Sequence, residues 1–196
     1  MADFYPILRG SAPAGGGAKE VGGKAWGLMR MTQMGLPVPP AFVLPTTWRL
    51  RPFPSSEAAL RATLSEGMAV LEAATGRRFG GSRRPLLVSV RSGAAVSMPG
   101  MMETVLDIGL NAETVEGLVR STGNPRLAWD SYRRLIQGYA EVVAGLPTAP
   151  FDALVADALK LADVETEREL DHRDLRALTA KMLDVSSGLQ SHAFTS

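Results

Sequence analysis

PLLVSVRSGAAVSMPGMMETVLDIGL, residues 85–110, divides into three parts. Leu86-Leu87-Val88-Ser89-Val90 is a short apolar, β-branched run of the kind that forms a buried strand. Arg91-Ser92-Gly93 sets a permanent cation, a hydroxyl and a permissive backbone at its end. Ser97-Met98-Pro99-Gly100-Met101-Met102-Glu103-Thr104 reads as a turn loop, and Val105-Leu106-Asp107-Ile108-Gly109-Leu110 as a returning strand. An arginine leaving a buried strand needs an anionic partner or water. A glycine-bearing loop beside it can bring backbone N–H groups up to phosphate oxygens. Residue types alone allow two readings: a cradle for a polyphosphate, or a crossover whose arginine makes a structural salt bridge.

Upstream, Gly22-Gly23-Lys24 opens a helical pattern that places Trp26, Leu28, Met29, Met31 and Met34 on one side and stops at Gly35. Lys24 then falls in the first turn, where the helix dipole disfavours a cation unless an anion also sits there. The segment is not a Walker A loop, because Ala18 stands at the required first glycine and Ala25 follows the lysine. Spacing alone leaves Lys24 open between a surface lysine and a phosphate ligand. Phe4, Tyr5, Ile7 and Leu8 can form an edge strand before it. After it, Pro37-Val38-Pro39-Pro40 holds the chain extended, Ala41-Phe42-Val43-Leu44 reads as a strand, and Thr46-Thr47 caps a short helix near Trp48. Residues 55–75 form an amphipathic helix with Leu60, Leu64, Met68 and Leu71 on one face, Ser56 as cap and Gly76 as stop. Arg77, Arg78, Arg83 and Arg84 flank a Gly-Gly-Ser turn, which reads as a solvated loop.

Downstream of Asn111 the pattern becomes helical. Residues 112–122 form a short helix ending at Gly123, and Asn124 caps the next with Pro125 at its N1 position. Trp129, Tyr132, Ile136, Tyr139, Val143 and Leu146 recur at spacings of three and four as a core stripe, with Arg133, Arg134 and Glu141 facing water and Pro147 as terminator. A further short helix spans 151–161. Asp171 then caps a helix carrying Leu175, Leu178, Met182 and Val185, with Asp174 near its N-terminus. Residues 186–196 are polar and expected to fray. The fold class is α/β in the mixed α+β sense, with an α/β subdomain over 1–111 and an all-α subdomain over 112–196.

Composition limits function. The 196 residues carry a formal net charge of +1, so the chain lacks the basic footprint of a nucleic-acid or anionic-membrane binder. With no cysteine, disulfides, thiolate metal sites and a cysteine nucleophile are excluded. No apolar run approaches the ~20 residues of a membrane span, and no signal-peptide pattern opens the chain. A cytoplasmic protein is the expectation.

Three separated stretches together resemble the nucleotide-binding domain of pyruvate phosphate dikinases: GGKAWGLMRMTQMGLPVPPAFVLPTTW, VSVRSGAAVSMPGMMETVLDIGLN and GNPRLAWDSYRRLIQGYAEVVAGLP. Phosphoenolpyruvate synthases share the Val-Arg-Ser start but usually differ in the loop after it, so Met-Pro-Gly-Met-Met points to the dikinase branch. The resemblance implies an ATP-grasp-like fold of which this chain covers the first half and a helical insertion. It implies that Lys24 and Arg91 contact ATP phosphates, and that Gly100, Met102 and Glu103 belong to the loop closing over them. It implies ATP and Mg2+ as cofactors, with phosphoryl transfer to a histidine on another domain and then to pyruvate. Two departures stand out: Ala25 replaces the glycine usual after the lysine, and Ala95 replaces a residue that is basic in many dikinases.

His172 and His192 match no phosphohistidine motif, and the acidic metal ligands of the implied second half are not visible. The expectation is a partial ATP-binding module, inactive alone, which pairs with a chain supplying the rest or self-associates through apolar surface. The alternative is a non-catalytic scaffold or interaction protein that keeps the fold.

Overall fold

A computed structural model describes residues 3–10, 17–50, 52, 56–91 and 104–193. The chain forms two compact units. One comprises Met1–Arg77 with Arg91–Met102, the other Arg78–Val90 with Glu103–Ser196.

In the first unit, β1 (Tyr5–Ile7) pairs antiparallel with β2 (Ala41–Val43), Tyr5 opposite Val43 and Ile7 opposite Ala41. Between them lie the single-turn α1 (Ala18–Val21) and α2 (Gly23–Gln33). A 3-10 turn (Thr46–Leu50) and α3 (Glu57–Thr75) follow β2. Tyr5, Ile7, Val21 and Met29 form the buried cluster, flanked by Ala25, Trp26, Leu28 and Val38. The expected apolar side of α2 is narrower than its sequence suggests. Met29 and Thr32 are buried, while Met31 and Met34 are exposed.

The buried face of α3 is rotated from the one its leucines mark. Thr63, Gly67 and Leu71 are buried, whereas Leu64 is exposed. The cause is Phe42 on β2, whose ring lies where a Cβ on Gly67 would stand, 2.7 Å away. A missing side chain, not an apolar one, admits the strand. Phe42 also meets Phe4 edge-on, with ring centroids 5.7 Å apart. Ser56 precedes α3 without a side-chain cap bond, and Gly76 ends it in the left-handed region.

In the second unit, β3 (Val88–Arg91) pairs with β4 (Thr104–Ile108) in a two-stranded sheet. Helices α4 (Thr114–Thr122), α5 (Pro125–Val142), α6 (Ala149–Ala162) and α7 (His172–Ala193) follow. The buried strand expected over residues 86–90 is displaced. Leu86 is buried just before β3, but Ser89, Val90 and Arg91 are exposed. On β4, Val105 is buried and Leu106 is exposed, the alternation of a strand with one covered face. This strand packs on α5, so β4 groups with the helices, whereas sequence composition groups it with the N-terminal segment.

The helical core comprises Val115, Leu118, Ala128, Trp129, Tyr132, Ile136, Ala140, Phe151, Leu175, Leu178 and Met182, among others. The starts of α4, α5 and α7 are built by side chains, whereas α6 has no side-chain cap. Asn111 Oδ1 accepts from the backbone N–H of Glu113 and of Thr114, and Thr114 Oγ1 accepts in return from Asn111 N–H, a reciprocal cap. Asn124 Oδ1 accepts from Leu127 N–H, with Pro125 in the first turn as expected. Asp171 Oδ1 accepts from Arg173 and Asp174 N–H, and Asp174 Oδ2 accepts from Asp171 N–H. Helix α7 continues through Ala193, so the helix reaches further into the polar end of the chain than its apolar positions mark.

Two expectations for α5 are corrected. Tyr139 and Val143 are exposed, and Ala140 takes the core position instead. Arg133, expected in water, is 2% exposed. Its guanidinium reaches Asp130 Oδ1 at 3.0 Å and Glu167 Oε2 at 2.6 Å, and Nη1 donates to Gln137. Its neighbour Arg126 donates to the carbonyls of Leu170 and Glu167. The two arginines tie α5 to the connection between α6 and α7. A buried guanidinium is tolerated because its donors are satisfied.

Arg133→Ala should therefore destabilise the protein by roughly 2–3 kcal/mol in urea denaturation, through lost charged hydrogen bonds and packing. Arg134→Ala, whose side chain is 63% exposed, should cost no more than about 0.5 kcal/mol. A second expectation concerns pH. Amide hydrogen bonds from Asp174 and Arg173 hold the Asp171 carboxyl below its ordinary pKa. A depressed folded-state pKa contributes stability that is present above the unfolded value and is lost as pH falls through the folded one. Asp171→Asn keeps an acceptor at the cap, so it should flatten the thermal-stability profile below about pH 4. An unchanged acid limb would contradict this.

Candidate functional site

Lys24 sits where α1 gives way to α2. The turn depends on Gly22, whose φ of 83° and ψ of 155° suit glycine alone. Gly22 closes α1 by donating to the Ala18 carbonyl, and its own carbonyl accepts from Trp26 N–H, starting α2. Gly23 and Lys24 follow on the exposed first turn. No acidic residue lies in that turn, and no described residue accepts a hydrogen bond from Lys24. The early amides of α2 and the lysine thus open to solvent on an 11-residue helix with no side-chain cap.

Ala25 does not face this opening squarely. It is half-buried and packs against the cluster of Tyr5, Ile7, Val21 and Met29. The turn of the helix directs the Ala25 side chain toward the core and away from the exposed first turn.

Arg91 ends β3 and is exposed. No described residue pairs with it. The premise of an arginine leaving a buried strand is thus corrected, since the strand itself is exposed. Both candidate ligands remain free to meet an anion, and the boundary between the two compact units cuts β3 between Val90 and Arg91. Gly100, Met102 and Glu103, together with Ala95, lie outside the described residues. Among the described residues no group of three or more His, Cys, Asp or Glu could hold a metal ion.

The helical unit has its own concavity, a groove of about 580 Å³ between α4, α5 and α7. Its lining includes Glu116, Trp129, His172, Arg173 and Arg176. The Arg176 guanidinium carbon lies 5.3 Å from the Trp129 ring centroid, a cation–π contact. None of the nominated phosphate ligands lines it. Sequence periodicity hid this groove, because it reads Trp129 only as core.

The fold defines the chain as a mixed α+β protein, with Lys24 beside a glycine turn and Arg91 at a strand end, both exposed. No family model matches it. Over most of its length, however, the chain is homologous to pyruvate, phosphate dikinases. It is 40% identical over 168 residues to the enzyme of Clostridium symbiosum, covering 84% of this chain and 19% of that protein. It is 43% identical over 167 residues to that of Rhizobium meliloti, covering 82% and 19%. The rice (Oryza sativa subsp. japonica) protein named pyruvate, phosphate dikinase 2 is 40% identical over 180 residues, covering 90% and 20%. The chain thus spans about a fifth of the length of these relatives. No helix among the described residues is long and apolar enough to cross a membrane.

The position of Ala25 generates a prediction. If the Gly22–Lys24 turn binds a nucleotide, Ala25→Gly should leave that affinity within twofold, because the methyl group faces the core. The substitution should lower stability by about 1 kcal/mol, the cost of glycine within a helix. Markedly tighter binding on calorimetric titration would show that the methyl group obstructs the site.

Proposed function

We propose that this chain is a partial ATP-binding module of a dikinase-like phosphotransferase. Lys24 and Arg91 meet the nucleotide's phosphates, and Gly100, Met102 and Glu103 belong to the segment that covers them. The observation that carries this reading is the state of the two cations. Each is exposed and without a partner among the described residues, at a backbone turn or strand end suited to a phosphate. Homology to the dikinases supports it.

Phosphoryl transfer needs little covalent chemistry from the protein. It needs the phosphates held in line and their charge neutralised. Lys24 supplies a compact ammonium, and Arg91 a planar fork that can bridge two oxygens. The amides at the start of α2 add oriented dipoles. A Mg2+ ion bound with the nucleotide would supply charge neutralisation at the phosphates. In the full reaction the phosphoryl group would pass to a histidine on another domain and then to pyruvate. This chain's part is to bind and orient the donor, alone or beside a chain that supplies the remaining half.

Titration of the protein with Mg·ATP by calorimetry, beside Arg91→Ala, tests the assignment. A charged hydrogen-bonded contact is worth about 1.5–3 kcal/mol, so the variant should bind at least roughly tenfold more weakly. Equal affinity in the two proteins would remove Arg91 from the site. Binding by neither would favour a scaffold that keeps the fold without the ligand.

A further inference from the structure

Helix α1 is a single turn, too short to hold its own place. It leads into Gly22, whose backbone imposes little stiffness. Something outside the turn must fix where Lys24 points. The structure supplies two side-chain tethers. Tyr5, on β1 and 4% exposed, donates its hydroxyl hydrogen bond to Glu20 Oε1 across 15 residues of sequence. Thr46 Oγ1 donates to the Lys19 carbonyl at 3.0 Å. The first of these is set deepest, because the tyrosine ring belongs to the buried cluster of its unit.

We propose that Tyr5 and Glu20 are a positioning pair for the phosphate-binding turn, fixing α1 against β1 so that Gly22-Gly23-Lys24 faces the nucleotide. The proposal rests on the reading of Lys24 as a phosphate ligand. Glu20 precedes Lys24 by one helical turn's worth of chain. An unengaged carboxylate there would be free to swing toward the lysine, neutralise it and repel polyphosphate. Bound to the Tyr5 hydroxyl, its charge is held on the β1 side. The hydrogen bond to Glu20, followed by burial and the carboxylate's charge, pushes the Tyr5 pKa above the ordinary tyrosine value, and the neutral phenol is the donor in this pair. Neither residue touches the nucleotide in this account. Their effect passes through Lys24.

The test uses the full chain and four variants: Tyr5→Phe, Glu20→Gln, Lys24→Ala and the double variant Tyr5→Phe/Lys24→Ala. Calorimetric titration with Mg·ATP gives the affinities, and hydrogen–deuterium exchange follows the amides of residues 19–24. Losing one hydrogen bond of this kind corresponds to a roughly threefold to tenfold change in affinity. Tyr5→Phe should weaken ATP binding by that factor and speed exchange in residues 19–24 while leaving the helical unit's exchange unchanged. Glu20→Gln retains an acceptor for the hydroxyl, so it should bind within twofold of the parent. In the Lys24→Ala background, Tyr5→Phe should add nothing.

Tyr5→Phe binding within twofold of the parent, or the same loss persisting without Lys24, would overturn the proposal. Unchanged exchange in Tyr5→Phe would overturn it even if the parent bound no nucleotide. Lys24→Ala binding like the parent would instead overturn the phosphate reading itself, and the positioning role with it.

Discussion

The helical unit depends on the burial of α5. This helix carries the residues that meet β4, α4 and α7, so it is covered on more than one side. Covering a helix that widely leaves no dry place for its polar side chains unless they are paired. Arg133 is the consequence. It is buried with Asp130 and Glu167 because the connection between α6 and α7 folds over the helix at that point. Such a network stabilises less than its short distances suggest, because each charge gives up water to enter it. Asp130 lies on α5 itself, so what the connection adds for Arg133 is the Glu167 carboxylate, and a shifted register would lose that contact alone.

The N-terminal unit works under a different constraint. Its strands are three residues each and its core cluster is small, so close approach and tethering replace bulk. Phe42 fills the space left by Gly67. The Trp48 indole N–H donates to the Asp3 carbonyl at 2.8 Å, fixing the chain's start beside the 3-10 turn. Against this frame the Gly22 turn projects Lys24 into solvent, with no carboxylate bound to it among the described residues. Arg133, by contrast, is buried and paired, while Lys24 and Arg91 are exposed.

The order of strands and helices was legible because turn chemistry and periodicity agree over long stretches. Asn124-Pro125 marks a helix start wherever it occurs before an apolar stripe, and Asp171 followed by Asp174 does the same. Which face each helix buries was less legible. Leucine spacing pointed to Leu64, but the contact surface is set by a glycine; aromatic spacing pointed to Tyr139, but Ala140 lies inside. Small residues mark where elements come closest, and hydrophobicity does not register them. Arg133 was misread for the complementary reason, since its partners Asp130 and Glu167 are distributed between local and distant sequence. The sequence marks Lys24 and Arg91 as candidates through the turn and strand end they occupy, while the inward direction of Ala25 and the Tyr5–Glu20 contact required the fold.

The most direct measurement is amide chemical-shift mapping of the isotopically labelled chain with Mg·ATP. The account predicts saturable shifts at Gly22, Gly23, Lys24 and Arg91, with the helical groove around Trp129 and Arg176 unaffected. Shifts confined to that groove, or none at the glycine turn, would contradict it.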